Sequence, residues 1–195
     1  ISNNTSHGDG GGFHVKSGST LTVNNSKIHN NSTSDGGGSG GGIYVYDYSA
    51  LDIDYSEISG NTCYGFGGGI YLHENSSLEI NQSTIVGNTS TNYGYGAVYF
   101  EGSNQASINS SIIWDNTGGG GGQLNSTLHS YVTNSCVQDG NLENGNTTDN
   151  PLFCEASSEN YSLNNLSPCY LEDGIYMGAY DIGCWTPCDD SYACN

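Results

Sequence analysis

The chain repeats itself in phase, and that limits its fold more than any other feature. A short pattern, Ser-x-Ile-x-x-Asn, occurs as Ser26/Ile28/Asn31, Ser56/Ile58/Asn61, Ser83/Ile85/Asn88 and Ser111/Ile113/Asn116, with Ile1 and Asn4 forming the tail of an earlier copy. The asparagines advance by 27, 30, 27 and 28 residues. Self-similarity at such a period means a stack of equivalent units sharing a thin core along an axis, not one globular core.

Each unit has the same internal order. A glycine run leads into alternating apolar residues at Phe13/Val15, Ile43/Val45, Ile70/Leu72 and Val98/Phe100. A second alternation follows at Leu21/Val23, Leu51/Ile53, Leu78/Ile80 and Ala106/Ile108. With the Ile of the Ser-x-Ile pattern this makes three period-two runs per unit, separated by Gly, Asn and Ser turns. Period two is the signature of strands, and no segment carries a crossover helix. The expectation is an all-β fold, a right-handed parallel β-helix of about 27 residues per coil with three strands in each coil. In-phase residues then stack. Ile28, Ile58, Ile85 and Ile113 fill the interior, and Asn4, Asn31, Asn61, Asn88 and Asn116 form a structural amide ladder at a turn.

Composition narrows the function. The 195 residues include 30 Gly, 15 Tyr and 3 Pro, and their only cations besides histidine are Lys16 and Lys27, for a net charge of −18. Nucleic acid and anionic lipid are repelled, because phosphate binding needs a Lys/Arg surface. Polyanionic sugars are disfavoured for the same reason, which leaves neutral glycans, cations or other copies of the chain as partners. Lyase chemistry on uronates needs a base and cations that this sequence lacks. Seven cysteines without a zinc spacing read as a disulfide framework in an extracellular or cell-surface setting. Cys63 and Cys136 sit within the repeats. Cys154, Cys169, Cys184, Cys188 and Cys194 crowd the C-terminal part and are the disulfide candidates, and the odd number leaves one thiol over.

No catalytic residue is assigned. Asp52 and Asp54 share a strand face with Glu79 one coil on, the arrangement a glycosidase would need to elaborate; without an accompanying motif they read as solvating carboxylates. His7-Gly8-Asp9 lies in a glycine turn. No metal or cofactor is assigned either: Asp35, Asp189 and Asp190 are the carboxylates nearest to a calcium arrangement, far sparser than an EF-hand. The feature most open to function is an aromatic ladder, His14, Tyr44, Tyr71 and Tyr99, one per coil and one residue after each inward apolar residue. Alternation points it to solvent, where it contacts glycan or partner, or simply stacks on itself. Asn-x-Ser/Thr sites recur, and Asn75, Asn125, Asn146 and Asn160 are the candidates for N-glycosylation in open turns. The first residue falls inside a coil, so either a longer native protein or end-to-end stacking into fibres is expected.

The GGGF and GGGI runs paired with IxxN resemble the GGAI and FxxN repeats of chlamydial polymorphic outer-membrane proteins and, more broadly, secreted bacterial parallel β-helix proteins. The resemblance covers the coils, 1–140. Residues 141–184, with NPLFCEASSENYSLNNLSPCYLEDGIYMGAYDIGC from Asn150 to Cys184, resemble the capping segment that closes such helices. The tail, 185–195, contains CDDSYACN, which resembles a CTDPxACNY element of secreted surface proteins; that likeness implies a Cys188–Cys194 pair and a chain that continues. The combined expectation is a non-catalytic extracellular structural or adhesion protein, with a carbohydrate-binding or carbohydrate-active protein as the alternative.

Overall fold

In the computed structural model of the protein the described residues are 1–185 except 35, 74, 93, 102–104, 126, 141–142 and 171–174. The alternating runs form strands that pair parallel with their equivalents one repeat away, with the homologous residues in register: Phe13, Ile43, Ile70 and Val98 align, as do Val23, Ile53, Ile80 and Ile108. The result is a right-handed parallel β-solenoid.

Its coils have four strands each, not three, so the solenoid has four faces. Face I comprises Thr5–Ser6, Ser32–Thr33, Thr62–Cys63, Thr89–Ser90 and Thr117–Gly118. Face II comprises Phe13–Val15, Ile43–Val45, Ile70–Leu72 and Val98–Phe100. Face III comprises Thr20–Asn24, Ala50–Asp54, Ser77–Asn81, Gln105–Asn109 and Val132–Thr133. Face IV comprises Lys27–His29, Glu57–Ser59, Thr84–Val86, Ile112–Trp114 and Cys136–Val137. The strands of face I have two residues each and polar sequences, too short to show a period; that is why the fourth side is invisible in the hydrophobic pattern.

Polar ladders hold the turns. Each Asn of the repeat donates through its backbone N–H and its Nδ2 to the Oδ1 of the next, at 2.8–3.1 Å from Asn4 to Asn116. The stack ends on a side chain outside the period: Gln123 Oε1 accepts from Asn116 N and Nδ2 at 3.0 and 2.7 Å. A parallel ladder runs through the repeat serines. The N–H of Ser26, Ser56, Ser83 and Ser111 each bonds the hydroxyl of the next serine, ending at Ser135, whose own N–H bonds Asn146 Oδ1 at 3.0 Å. Buried backbone donors at the corners are thereby satisfied without water. The glycine runs serve the corner between faces I and II. Gly40 has φ +65°, and a Cβ on Gly41 would lie 2.4 Å from the carbonyl oxygen of Gly68 in the next coil, so only glycine fits.

The C-terminal segment does not simply close the end of the stack. Asn146 and Thr147 still sit on the coils, Thr147 bridging Cys136. Beyond them Phe153–Glu155, Asn160–Asn164 and Ile182–Cys184 form a small mixed sheet that lies against the outside of face IV. Val86, Ile112 and Trp114 point outward from that face and are buried with Tyr161, Leu163, Cys169 and Met177 in a second core. Face IV is therefore covered on both sides, like the sheet of an α/β protein. Cys136–Cys169 fastens this strap to the last coil, and Cys154–Cys184 staples the small sheet. Cys136, placed among the repeats, is thus a disulfide partner, and Cys63 is the unpaired cysteine among the described residues, buried inside face I. At the far end of the strap Tyr180 donates to Glu57 Oε2 at 2.6 Å, and the same oxygen is 2.9 Å from Lys27 Nζ.

Candidate recognition surface

Face II carries its inward apolar pairs at alternate positions, which forces the intervening residues outward. Two outward rows result: His14, Tyr44, Tyr71 and Tyr99, then Lys16, Tyr46, His73 and Glu101. The glycine corner supplies a third row, because Phe66 and Tyr95 sit between glycines just before the third and fourth strands. Among the described residues eight rings join into one patch. Along the ladder the centroids are 4.8 Å apart from His14 to Tyr44, 5.2 Å from Tyr44 to Tyr71 and 5.6 Å from Tyr71 to Tyr99. Tyr46 stacks on His73 at 5.6 Å with an interplanar angle of 11°. On the other flank Phe66 stacks on Tyr99 at 4.6 Å and Tyr95 on Tyr99 at 5.9 Å.

The ladder is not uniformly open to solvent. His14 is exposed and Tyr44 and Tyr99 are half-buried, but Tyr71 is 6% exposed. Its ring is enclosed by Phe66, Tyr44, Tyr99 and His73, and its hydroxyl donates to the Glu101 carboxylate. Burial, reinforced by that carboxylate, drives the Tyr71 phenol far above the usual range, so it stays a neutral donor. Burial also lowers the His14 imidazole, helped by Lys16. Tyr71 is the anchor of the patch, and its neighbours are the contact surface.

The acidic row on face III is arranged differently. Asp52 stands in register with Glu79, and Asn81 Nδ2 bridges Asp54 Oδ1 at 3.2 Å and Glu79 Oε1 at 3.1 Å. Partial burial raises the Asp52 carboxyl, with Glu79 and Asp54 adding repulsion. Asp52 and Glu79 line a shallow depression with Ser77, Gln105 and Ser107. His7 and Asp9 lie on the glycine corner, where Asp9 Oδ1 accepts from Ser39 N at 2.8 Å.

The glycosylation candidates separate by geometry. Asn75 and Asn160 are exposed. Asn125 is tied to the end of a face II strand, accepting from Phe100 N at 3.2 Å and donating to Phe100 O at 2.7 Å. Asn146 is no open turn residue: it is 9% exposed, its Oδ1 ends the serine ladder and its Nδ2 donates to Val132 O at 2.9 Å. Cys188, Cys194, Asp35, Asp189 and Asp190 lie outside the described residues. Burial pushes the Cys63 thiol up to about 11, which makes it a packing group and not a nucleophile.

Phe66, Tyr95, Tyr46 and His73 are absent from the ladder that the sequence predicts. The sequence does carry a signal for the first two, since both occupy the middle of a Gly-x-Gly corner one coil apart. Compared with known proteins, residues 1–137 match the family described as right handed beta helix region. No curated protein and no solved structure gives a significant match.

Proposed function

The chain belongs to the right-handed β-helix family, and from that scaffold we propose a non-catalytic extracellular or cell-surface adhesion protein that engages its partner through face II. One observation carries this reading: eight aromatic rings from four coils form a single surface patch, where faces I and III are polar and face IV is covered by the strap. Tyr-rich patches with hydroxyls at their edges suit recognition, because they offer large rigid area at low entropic cost. The two disulfides support an oxidising setting, and the resemblance of the repeats to bacterial surface proteins supports a surface location.

The test is retention under flow. Beads coated with the protein are passed over surfaces bearing neutral oligosaccharides, a basic protein, or a passivated blank. Retention on either derivatised surface should fall about tenfold or more in Tyr44→Ser/Tyr46→Ser/Tyr99→Ser, since each ring contributes about 0.5–1.5 kcal/mol. Equal retention of protein and variant would remove face II as the recognition surface. The alternative, a carbohydrate-active protein, rests on Asp52, Asp54 and Glu79; a non-catalytic adhesion protein releases no reducing ends from neutral polysaccharides, and their release would favour that alternative.

A further inference from the structure

Resting on that reading of face II, we infer that its partner is a cationic, arginine- or lysine-bearing segment of another protein, held by cation–π contacts on the aromatic patch. Ring arrangement and charge point the same way. A sugar stacks best on a flat, open ring face. Here the ladder of one ring per coil is inclined from member to member, with interplanar angles of 77°, 58° and 47° between successive rings. The flanking rings are stacked instead, Tyr46 on His73 at 11° and Phe66 on Tyr99 at 29°, so the rings are inclined to or stacked on one another and are not laid side by side as a platform. A guanidinium or ammonium group needs only one accessible ring face within about 6 Å of the centroid, and it gains from every further quadrupole nearby.

The charges around the patch complete the case. Glu101 closes its fourth-coil end, with one oxygen accepting from Tyr71 and lying 3.9 Å from His73 Nε2, and its side chain is 48% exposed. Asp9 lies on the corner row beside the first coil and Asp47 follows Tyr46. Lys16 is the only lysine on the patch, at its first-coil end. In a chain of net charge −18 this rim attracts cations over long range, whereas a neutral glycan gains nothing from the field. Aromatic faces bordered by carboxylates are the complement of a basic side chain: the rings supply the contact and the acids supply the steering.

The experiment measures the affinity of the whole chain for an oligo-arginine peptide, an oligo-lysine peptide, a neutral Gly-Ser peptide and neutral β-linked oligosaccharides at fixed salt. Both basic peptides should bind, arginine more tightly, and Tyr44→Ser/Tyr99→Ser should weaken them about tenfold or more. Tyr44→Phe/Tyr99→Phe keeps the rings and should retain binding, which guards against loss of fold. Asp52→Asn/Asp54→Asn/Glu79→Gln, on face III, should change affinity by less than about threefold. Peptide binding indifferent to the tyrosines would reduce the effect to bulk charge and overturn the inference. Ring-dependent binding of the oligosaccharides alone would also overturn it while leaving face II as the recognition surface. If no probe distinguishes the aromatic variant from the parent, both readings fall.

Discussion

At the residue scale the molecule depends on side chains that replace missing backbone partners. Asn88 makes the point. Its Oδ1 receives two bonds from Asn61, and its Nδ2 donates to Asn116 Oδ1, Ile58 O and Val86 O, all in the interior. Asn88→Ala strands a buried N–H and two carbonyls, so it should cost about 2–4 kcal/mol, more than one hydrogen bond is worth. Urea unfolding followed by circular dichroism measures this, and a loss below about 0.5 kcal/mol would show the ladder to be incidental. The ladder is legible in the sequence because its members recur in phase. Its terminators are not: Gln123 lies seven residues past Asn116 and Asn146 eleven past Ser135, outside any period. The same blindness makes Asn146 look like an open sequon.

At the element scale the strap governs how face IV behaves. Its outward residues change character along the axis, from Lys27 and Glu57 in early coils to Val86, Ile112 and Trp114 later. That gradient is present in the sequence, but a single-sided reading of each strand assigns only the inward Ile. The apolar residues on both sides of Ile113, Ile112 and Trp114, are the mark of a sheet buried twice. Replacing Cys136 and Cys169 by serine frees the strap at its base. For a separation of 33 residues the loss should be about 3–4 kcal/mol, read as a lower unfolding midpoint, and an unchanged midpoint would mean that packing alone holds the strap.

The tip of the strap predicts a pH dependence. Burial and the Glu57 carboxylate push the Tyr180 phenol up to about 12, above its value near 10 in the unfolded chain. Between those values the native state holds a proton that the unfolded state has lost, so stability declines as pH rises through the window and is complete below it. Lys27 acts in the same sense: burial opposes its charge, but the bonds to Glu57 and Tyr180 raise it overall. Tyr180→Phe should therefore flatten the loss of thermal midpoint between about pH 10 and 12. The same slope in both proteins would place the alkaline transition elsewhere, with Tyr71 the first suspect.

At the scale of the whole molecule the four sides have separate tasks. Face I closes the coil with short polar strands, face III is a polar sheet carrying Asp52, Asp54 and Glu79, face IV is covered by the strap, and face II presents the rings. The solenoid and its core can be read from the repeat because register fixes every inward position once one is known. The breadth of the aromatic patch cannot, since it depends on corner residues brought beside the strands by the coil geometry. Contact through face II is what separates a recognition surface from a mere stack of rings. Its most direct test is the nitration of tyrosines, mapped by mass spectrometry, with and without the oligo-arginine peptide. Protection confined to Tyr44, Tyr46, Tyr95 and Tyr99, with Tyr55 on the far corner unchanged, is the predicted result. Protection of Tyr55, or a uniform fall across all exposed tyrosines, would contradict it.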